Sequence, residues 1–336
     1  MRIVWTVLFV SLVILVVGVL YILAQLTGSA PVGDLTPTTR PDERDGPPLR
    51  IGLIPERDIF LQRKRYRALA EYLSVKLDRP VRLVMMHTYA TVLHDFAEKN
   101  VECAFLGSLV AVLAMDRLDA QVIAKPELTG GVSSYHGVIF VRADSPVTKL
   151  EQIAGRSIGM VRTTTAGHVF PGCVLMKLKL FGRADEPRIV WIGTHDDVTR
   201  KVMDGQIDVG AMKNLRLDDL LKQNPEWKIR RLASGKCVPS NALLVRSDIA
   251  GELGGKLSKI LLEMESDPQG SKTLEEMGMK RFIPCPSREY SPVYDMTECI
   301  KSMWKKIGVP GTIPKRPGDW PKPKSVETRK CYDVNY

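Results

Sequence analysis

At 336 residues, 44% hydrophobic and 26% charged, the chain can bury more than one lobe at about 100–200 residues per domain, and disorder of the whole is excluded. Its formal net charge of +10 favours anionic partners and anionic surfaces, although a solvated basic tail explains any single lysine equally well. Six cysteines, none in a C-x-x-C pair, exclude a zinc ribbon and a thioredoxin-like redox motif; their even number permits disulfides outside the cytoplasm without requiring them.

No charged side chain occurs from Ile3 to Gly33, and Val4 to Ala24 is almost continuously apolar, with Trp5 near one end and Tyr21 near the other. That matches the roughly 20 apolar residues a helix needs to cross a bilayer. The run is longer than the apolar stretch of a signal peptide, and Pro31 follows Gly28-Ser29-Ala30 where cleavage would fall. A retained transmembrane anchor over residues 1–26 is therefore expected ahead of a cleaved signal. Arg2 places its N-terminus inside and the bulk of the chain outside. Residues 27–48, rich in Pro, Gly, Thr and charge, predict a flexible linker. Nucleic acid is not an expected partner outside the cell.

From Arg50 the pattern alternates strands with helices. RIGLI (Arg50–Ile54) reads as a strand, and Tyr66, Leu69, Leu73 and Leu77 recur on one helical face. VRLVMM (Val81–Met86), a helix over Thr88–Lys99, ECAFL (Glu102–Leu106) and a helix over Ser108–Arg117 follow. The expected architecture is an open doubly wound sheet with right-handed crossovers. After the strand His136–Arg142 and a short helix ending at Gly155, the series restarts. Strands Ser157–Val161, Arg188–Ile192 and Ile207–Met212 alternate with helices after Thr165, over Asp196–Met203 and over Leu215–Gln223. Ala242–Asp248 reads as a strand returning to the first sheet, and helices follow at Leu253–Glu265 and Pro292–Lys306. Residues 49–144 and 236–307 are thus assigned to lobe 1, 145–235 to lobe 2 and 308–336 to a basic, Pro-rich tail. Two lobes joined by several chain crossings make a hinge that closes on a ligand.

Three strand-to-helix junctions carry hydroxyls. In Arg162-Thr163-Thr164-Thr165-Ala166-Gly167-His168 they stand with free backbone N–H groups at a helix start, the makings of an anion cradle. An ordinary threonine N-cap is the plain alternative. Leu106-Gly107-Ser108 lets backbone approach a ligand at Gly107 and lets Ser108 cap the next helix, and Thr88-Tyr89-Ala90-Thr91 is a third such junction. Convergence of three favours an oxyanion site. His195, ahead of Asp196-Asp197, either caps its helix or donates N–H to the anion. The remaining histidines lack metal-site spacing, and no cofactor is implied. Enzyme motifs are missing: there is no G-x-S-x-G elbow, and GELGGKLS (Gly251–Ser258) fails the phosphate-loop pattern.

These stretches, with Tyr135–Leu150, Gly193–Val198, Gln206–Ala211 and Arg281–Val293, resemble the periplasmic phosphonate/phosphite/phosphate-binding proteins of ABC importers. The resemblance covers most of residues 49–307. It implies an α/β, two-lobed type II periplasmic-binding fold, each lobe a doubly wound sheet, here preceded by one N-terminal transmembrane helix. It also implies that Thr163, Thr164 and Thr165 bind the phosphonate oxygens, with Tyr89 and His195 kept. Gly107 and Ser108 stand where the family has Gly-Asn, and Leu106 replaces the usual aromatic. The carboxylates that grip the ammonium of aminoalkylphosphonates are replaced, one by Leu215 or its neighbour Asn214, the other by Asn241. Because a buried ammonium without a carboxylate is costly, a compact oxyanion or an uncharged-tail phosphonate is expected. The implied function is capture for an ABC permease by lobe closure, in a periplasmic protein tethered to the inner membrane. A ligand-sensing subunit for a membrane signalling partner and an enzyme of the same fold are the alternatives.

Overall fold

The computed structural model describes residues 46–54, 59–86 and 92–307. In chain order, β1 (Leu49–Leu53), α1 (Ile59–Leu77), β2 (Val81–Met85), α2 (Val92–Ala97), β3 (Cys103–Leu106), α3 (Ser108–Leu118) and β4 (Gln121–Leu128) begin the first lobe. β5 (Ser134–Tyr135) leads out of it. The second lobe comprises β6 (Gly137–Arg142), β7 (Ser157–Val161), α4 (Phe170–Lys177), β8 (Arg188–Ile192), α5 (His195–Met203), β9 (Val209–Lys213), α6 (Asn214–Gln223) and β10 (Ile229–Ser234). β11 (Val238–Pro239) leads back. β12 (Ala242–Val245), α7 (Glu252–Leu262), α8 (Pro268–Glu276), β13 (Met279–Ile283), α9 (Ser291–Cys299) and α10 (Lys301–Ile307) complete the chain's described part.

The first sheet has the order β13-β4-β12-β3-β1-β2 and the second β10-β6-β9-β7-β8. Both are mixed rather than wholly parallel. Strands β1, β2 and β3 are parallel, as are β7, β8 and β9. The strands that arrive from the other lobe run antiparallel: β12 enters between β3 and β4, and β6 pairs with β9. A chain that leaves one lobe and returns to it enters each sheet from the side facing its partner, which sets that direction. The strand Gly137–Arg142, grouped with the first lobe by the sequence boundary at residue 144, is hydrogen-bonded into the second sheet.

Between the lobes, β5 and β11 pair antiparallel, Val238 opposite Tyr135 and Pro239 opposite Ser134. The ladder continues through Ser240 N–H to the Ser133 carbonyl, 3.0 Å, and Gly235 N–H to the Gly137 carbonyl, 2.8 Å. This ribbon is the crossing through which the two sheets are joined.

Alternation puts Leu49, Ile51 and Leu53 of β1 on one buried face, where Tyr66, Leu69, Leu73 and Leu77 of α1 meet them. A second apolar layer, under α5 and α6, holds Val138, Phe140, Val198 and Leu217. A third joins both lobes: Ala104 and Leu106 of the first, Ile158 and Met160 of the second, and Val293, Ile300, Met303 and Trp304 of the last two helices share one cluster. The periodicity of the sequence reveals neither β4 nor β13. Lys125, Pro126 and Glu127 break β4's apolar run, and all three are buried. Lys125 is accommodated by an ion pair with Glu289, and Glu127 by Lys280 (3.5 Å) and Arg281 (3.2 Å).

The membrane helix requires correction. Among the described residues no helix is long and apolar enough to cross a membrane. The longest, α1, carries Arg63, Lys64, Arg65, Arg67 and Glu71, which a bilayer core would have to desolvate. The span expected over 1–26, like the linker 27–48 up to residue 45 and the tail from 308, lies outside the described residues. The N-terminal transmembrane helix, the membrane as a partner through it and the inner-membrane tether are accordingly withdrawn from the architecture.

A half-buried clamp at the start of the first sheet gives a direct test of its packing. Glu102 accepts hydrogen bonds from Arg50 N–H (2.8 Å), Nε (3.1 Å) and Nη2 (2.6 Å). Burial pushes the Glu102 carboxyl up, but the Arg50 bonds and charge, with help from Arg246, more than offset this and hold it below its ordinary value. A depressed carboxylate stabilises the fold above its unfolded pKa and loses that contribution as pH falls through the folded value. Glu102→Gln is expected to lower the unfolding free energy by about 1–3 kcal/mol at neutral pH. Denaturant titrations across pH should show the gap to wild type closing once Glu102 is protonated.

Candidate functional site

Two helix starts face one cavity. At the end of β3, Gly107 is the N-cap of α3, with φ −66° and ψ 157° and no side-chain cap. Ala111 N–H is the first to bond within the helix, to the Gly107 carbonyl at 2.9 Å. The N–H groups of Ser108, Leu109 and Val110 therefore have no acceptor within α3, and these residues line the cavity. Ser108 is the first helical residue rather than the cap. Its buried hydroxyl donates to the Pro239 carbonyl (2.7 Å) and shares a hydrogen bond with the Tyr135 hydroxyl (3.1 Å), tying α3 to both hinge strands.

Opposite, β7 runs into a tight turn. Thr163 has φ +57°, an outlying conformation for a β-branched residue and one that concentrates at functional sites. Thr164 caps the π-helical turn Thr165–Val169. Its Oγ1 accepts from Gly167 N–H (3.1 Å) and donates to the Val161 carbonyl (2.8 Å), so its single proton is already committed. Thr165 differs: its Oγ1 is buried in the cavity wall and makes no hydrogen bond among the described residues. Gly167 packs so closely that a Cβ there would lie 2.9 Å from Thr164 Oγ1 and 3.0 Å from His195 Cε1. Any larger residue would push the turn and the histidine apart.

His195 opens α5 without capping it. Thr194 is the N-cap, its Oγ1 accepting from Asp197 N–H at 3.1 Å and donating to Asp197 Oδ2 at 2.7 Å. His195 is buried and lines the cavity. The same turn is held by Arg216 Nε and Nη2, which grip Asp196 at 2.7 and 2.5 Å.

Two wall residues went unread in the sequence. Lys213, the last residue of β9, sets its Nζ 4.4 Å from the centroid of the Tyr135 ring, and both line the cavity. A lysine ending an apolar strand was the available signal for the first. Tyr135 was visible only as part of a matched stretch. Asn214 and Asn241 do not line the cavity. Asn214 Oδ1 accepts from His136 N–H (2.9 Å), and Asn214 N–H donates to the His136 carbonyl (3.0 Å), a clasp on the hinge. Asn241 turns a buried Oδ1 without a hydrogen-bond partner toward Gly107. Tyr89 and its junction lie outside the described residues.

The space between these walls, open mouth included, is about 300 Å³, but the enclosed room is only about 20 Å³, little more than about one water molecule needs. Among the described residues lining it there is no carboxylate. Among the described residues, too, no group of three or more His, Cys, Asp or Glu side chains could hold a metal ion.

Behind the turn, buried His168 accepts from Trp304 Nε1 at Nε2 (3.1 Å) and lies edge-on to Trp191, with the Thr163 N–H 3.3 Å from its Nδ1. Burial first, and the Arg162 charge second, push its pKa down to about 4.

Two α/β lobes with mixed sheets, joined by a paired two-strand crossing and enclosing a small cavity between helix starts, define a type II periplasmic-binding fold. The family model for the periplasmic phosphonate substrate-binding protein of ABC transporters matches residues 51–290, and the chain belongs to that family. The phosphonates-binding periplasmic protein of Escherichia coli is 22% identical over 253 residues, covering 73% of this chain and 74% of that protein. A Xanthomonas citri protein solved with bound chloride superposes with a TM-score of 0.67 at 21% identity, over 77% of this chain and 99% of its own. PhnD1 of Prochlorococcus marinus, solved with methylphosphonate, gives 0.64 at 18% identity, over 76% and 98%. The Escherichia coli relative is a binding protein, and the family places this chain among substrate-binding proteins rather than enzymes.

Two outcomes test this geometry without a ligand. Thr164→Val should lower stability by about 1 kcal/mol through loss of the cap, measured by denaturant unfolding. A histidine held neutral by the fold stabilises above its unfolded pKa of 6.5 and loses that contribution as pH falls through about 4. Wild-type Tm should therefore fall across that window, and in His168→Gln the decline should be shallower.

Proposed function

We propose that the chain captures a compact oxyanion of the phosphonate, phosphate or phosphite class between its lobes. The observation that carries this is the buried Thr165 hydroxyl, without a partner among the described residues, on a wall it shares with the first turn of α3. Helix starts offer N–H donors and the positive end of a dipole, and an anion leaving water needs several such donors at once. The Lys213 ammonium adds charge, and His195 adds a ring N–H from the second lobe. Gly107 contributes backbone, while Thr163 and Thr164 shape the turn that presents Thr165.

The absence of a carboxylate among the described lining residues supports an uncharged-tail or tailless ligand over an aminoalkylphosphonate, whose ammonium would be left unpaired. Proteins of this fold solved with chloride and with methylphosphonate are in keeping with an anionic ligand. Delivery of the ligand to an ABC permease, from a periplasmic location, follows from the family.

Calorimetry of the purified protein against phosphate, phosphite, methylphosphonate, sulfate and aminoethylphosphonate tests the reading. Thr165→Val is expected to weaken the best ligand about 10–100-fold, the scale of losing a donor to a charged group, with little change in Tm. Lys213→Met should weaken all the anions and flatten the dependence of affinity on salt. Binding unaltered in both variants would place the ligand elsewhere.

A further inference from the structure

The last two helices form a strap. α9 and α10 follow β13 of the first sheet, yet Ile300 and Met303 pack on Gly172 of α4, the helix continuous with the Thr165 turn. Along that contact lie two thiols from segments far apart in the chain. Cys173 is buried on α4, and Cys299 is the half-buried last residue of α9. Cys299 Sγ donates to the Cys173 carbonyl at 3.7 Å, which places the second thiol against the backbone of the first. Both are free, whereas Cys237 is disulfide-bonded, so the chain already carries a disulfide.

We propose that Cys173 and Cys299 are a disulfide site which, when oxidised, fastens the C-terminal strap to the helix bearing the second-lobe turn. The oxidant is a disulfide, from a small molecule or a thiol–disulfide oxidoreductase. The more accessible Cys299 thiolate attacks one of its sulfurs, forming a mixed disulfide and expelling one thiolate. Cys173, deprotonated, then attacks the Cys299 sulfur, forming the Cys173–Cys299 bond and expelling the second thiolate. Two protein thiols are oxidised, one disulfide is reduced to two thiols, and the two protons pass to the leaving groups. Burial, together with the neighbouring Cys299, pushes the Cys173 thiol up to about 12, so ring closure is the slow step and accelerates with rising pH. The bond would join residues far apart in sequence, the case in which constraint of the unfolded chain is largest.

The test uses the full chain without ligand, so it is independent of the oxyanion reading. The protein is incubated with oxidised glutathione at pH 7 and 8.5, remaining thiols are alkylated, and peptides are mapped without reduction. Expected are a linked peptide pair containing Cys173 and Cys299, faster formation at pH 8.5, and a Tm raised by roughly 3–8 °C that dithiothreitol reverses. Cys173→Ser should stop at a glutathione adduct on Cys299. In wild type, persistence of that adduct, alkylation of both thiols after long oxidation, or a link that leaves Tm unchanged would each overturn the proposal.

Discussion

Backbone N–H groups at a helix start have no acceptor in their own helix, and here two such starts face the same small cavity. That constraint organises the molecule's centre. α3 begins there with three residues along the wall and no side-chain cap, and the turn after β7 presents a threonine hydroxyl that no described residue satisfies. A buried polar group without a partner is costly, and Thr165 shares its wall with the uncapped first turn of α3. The close approach of Gly167 to Thr164 and His195, and the left-handed Thr163, are the local concessions that bring them together.

Around this centre, polar side chains divide their labour. Those whose protons or lone pairs are consumed inside the fold hold geometry: Thr164 caps, Asn214 clasps His136, and Ser108 ties α3 to the hinge ribbon. Asp196 and Arg216 brace the first turn of α5, so that the buried His195 is presented by a rigid helix rather than a loop. Positive charge enters through Lys213, whose ammonium sits on the Tyr135 face. The hinge ribbon thus contributes to the wall of the site as well as connecting the lobes.

The C-terminal helices extend the same economy. They bury Ile300, Met303 and Trp304 in a core shared by both lobes, and through Trp304 and His168 they reach the back of the turn that carries Thr165. Support for the second-lobe turn comes therefore from residues more than a hundred positions away in the chain.

Local pattern was enough for the alternating strands and helices, because β1 and α1 carry apolar residues at periods 2 and 3.6 that only one buried face can satisfy. It was also enough for the location of the hydroxyl-bearing junctions at strand ends. It could not find β4 or β13, whose charges become tolerable only through partners such as Glu289 that are remote in sequence. Nor could it say which of three adjacent threonines keeps a free hydroxyl, since that depends on whether Val161 and Gly167 lie within reach. The amino-acid sequence by itself determined most of the elements and the family; only the tertiary structure decided β4 and β13, direction in the sheets, the bonding of Thr164, Thr165 and Asn214, and the place of Lys213. Periodicity is a property of neighbours along the chain, whereas satisfaction of a buried polar atom is a property of neighbours in space.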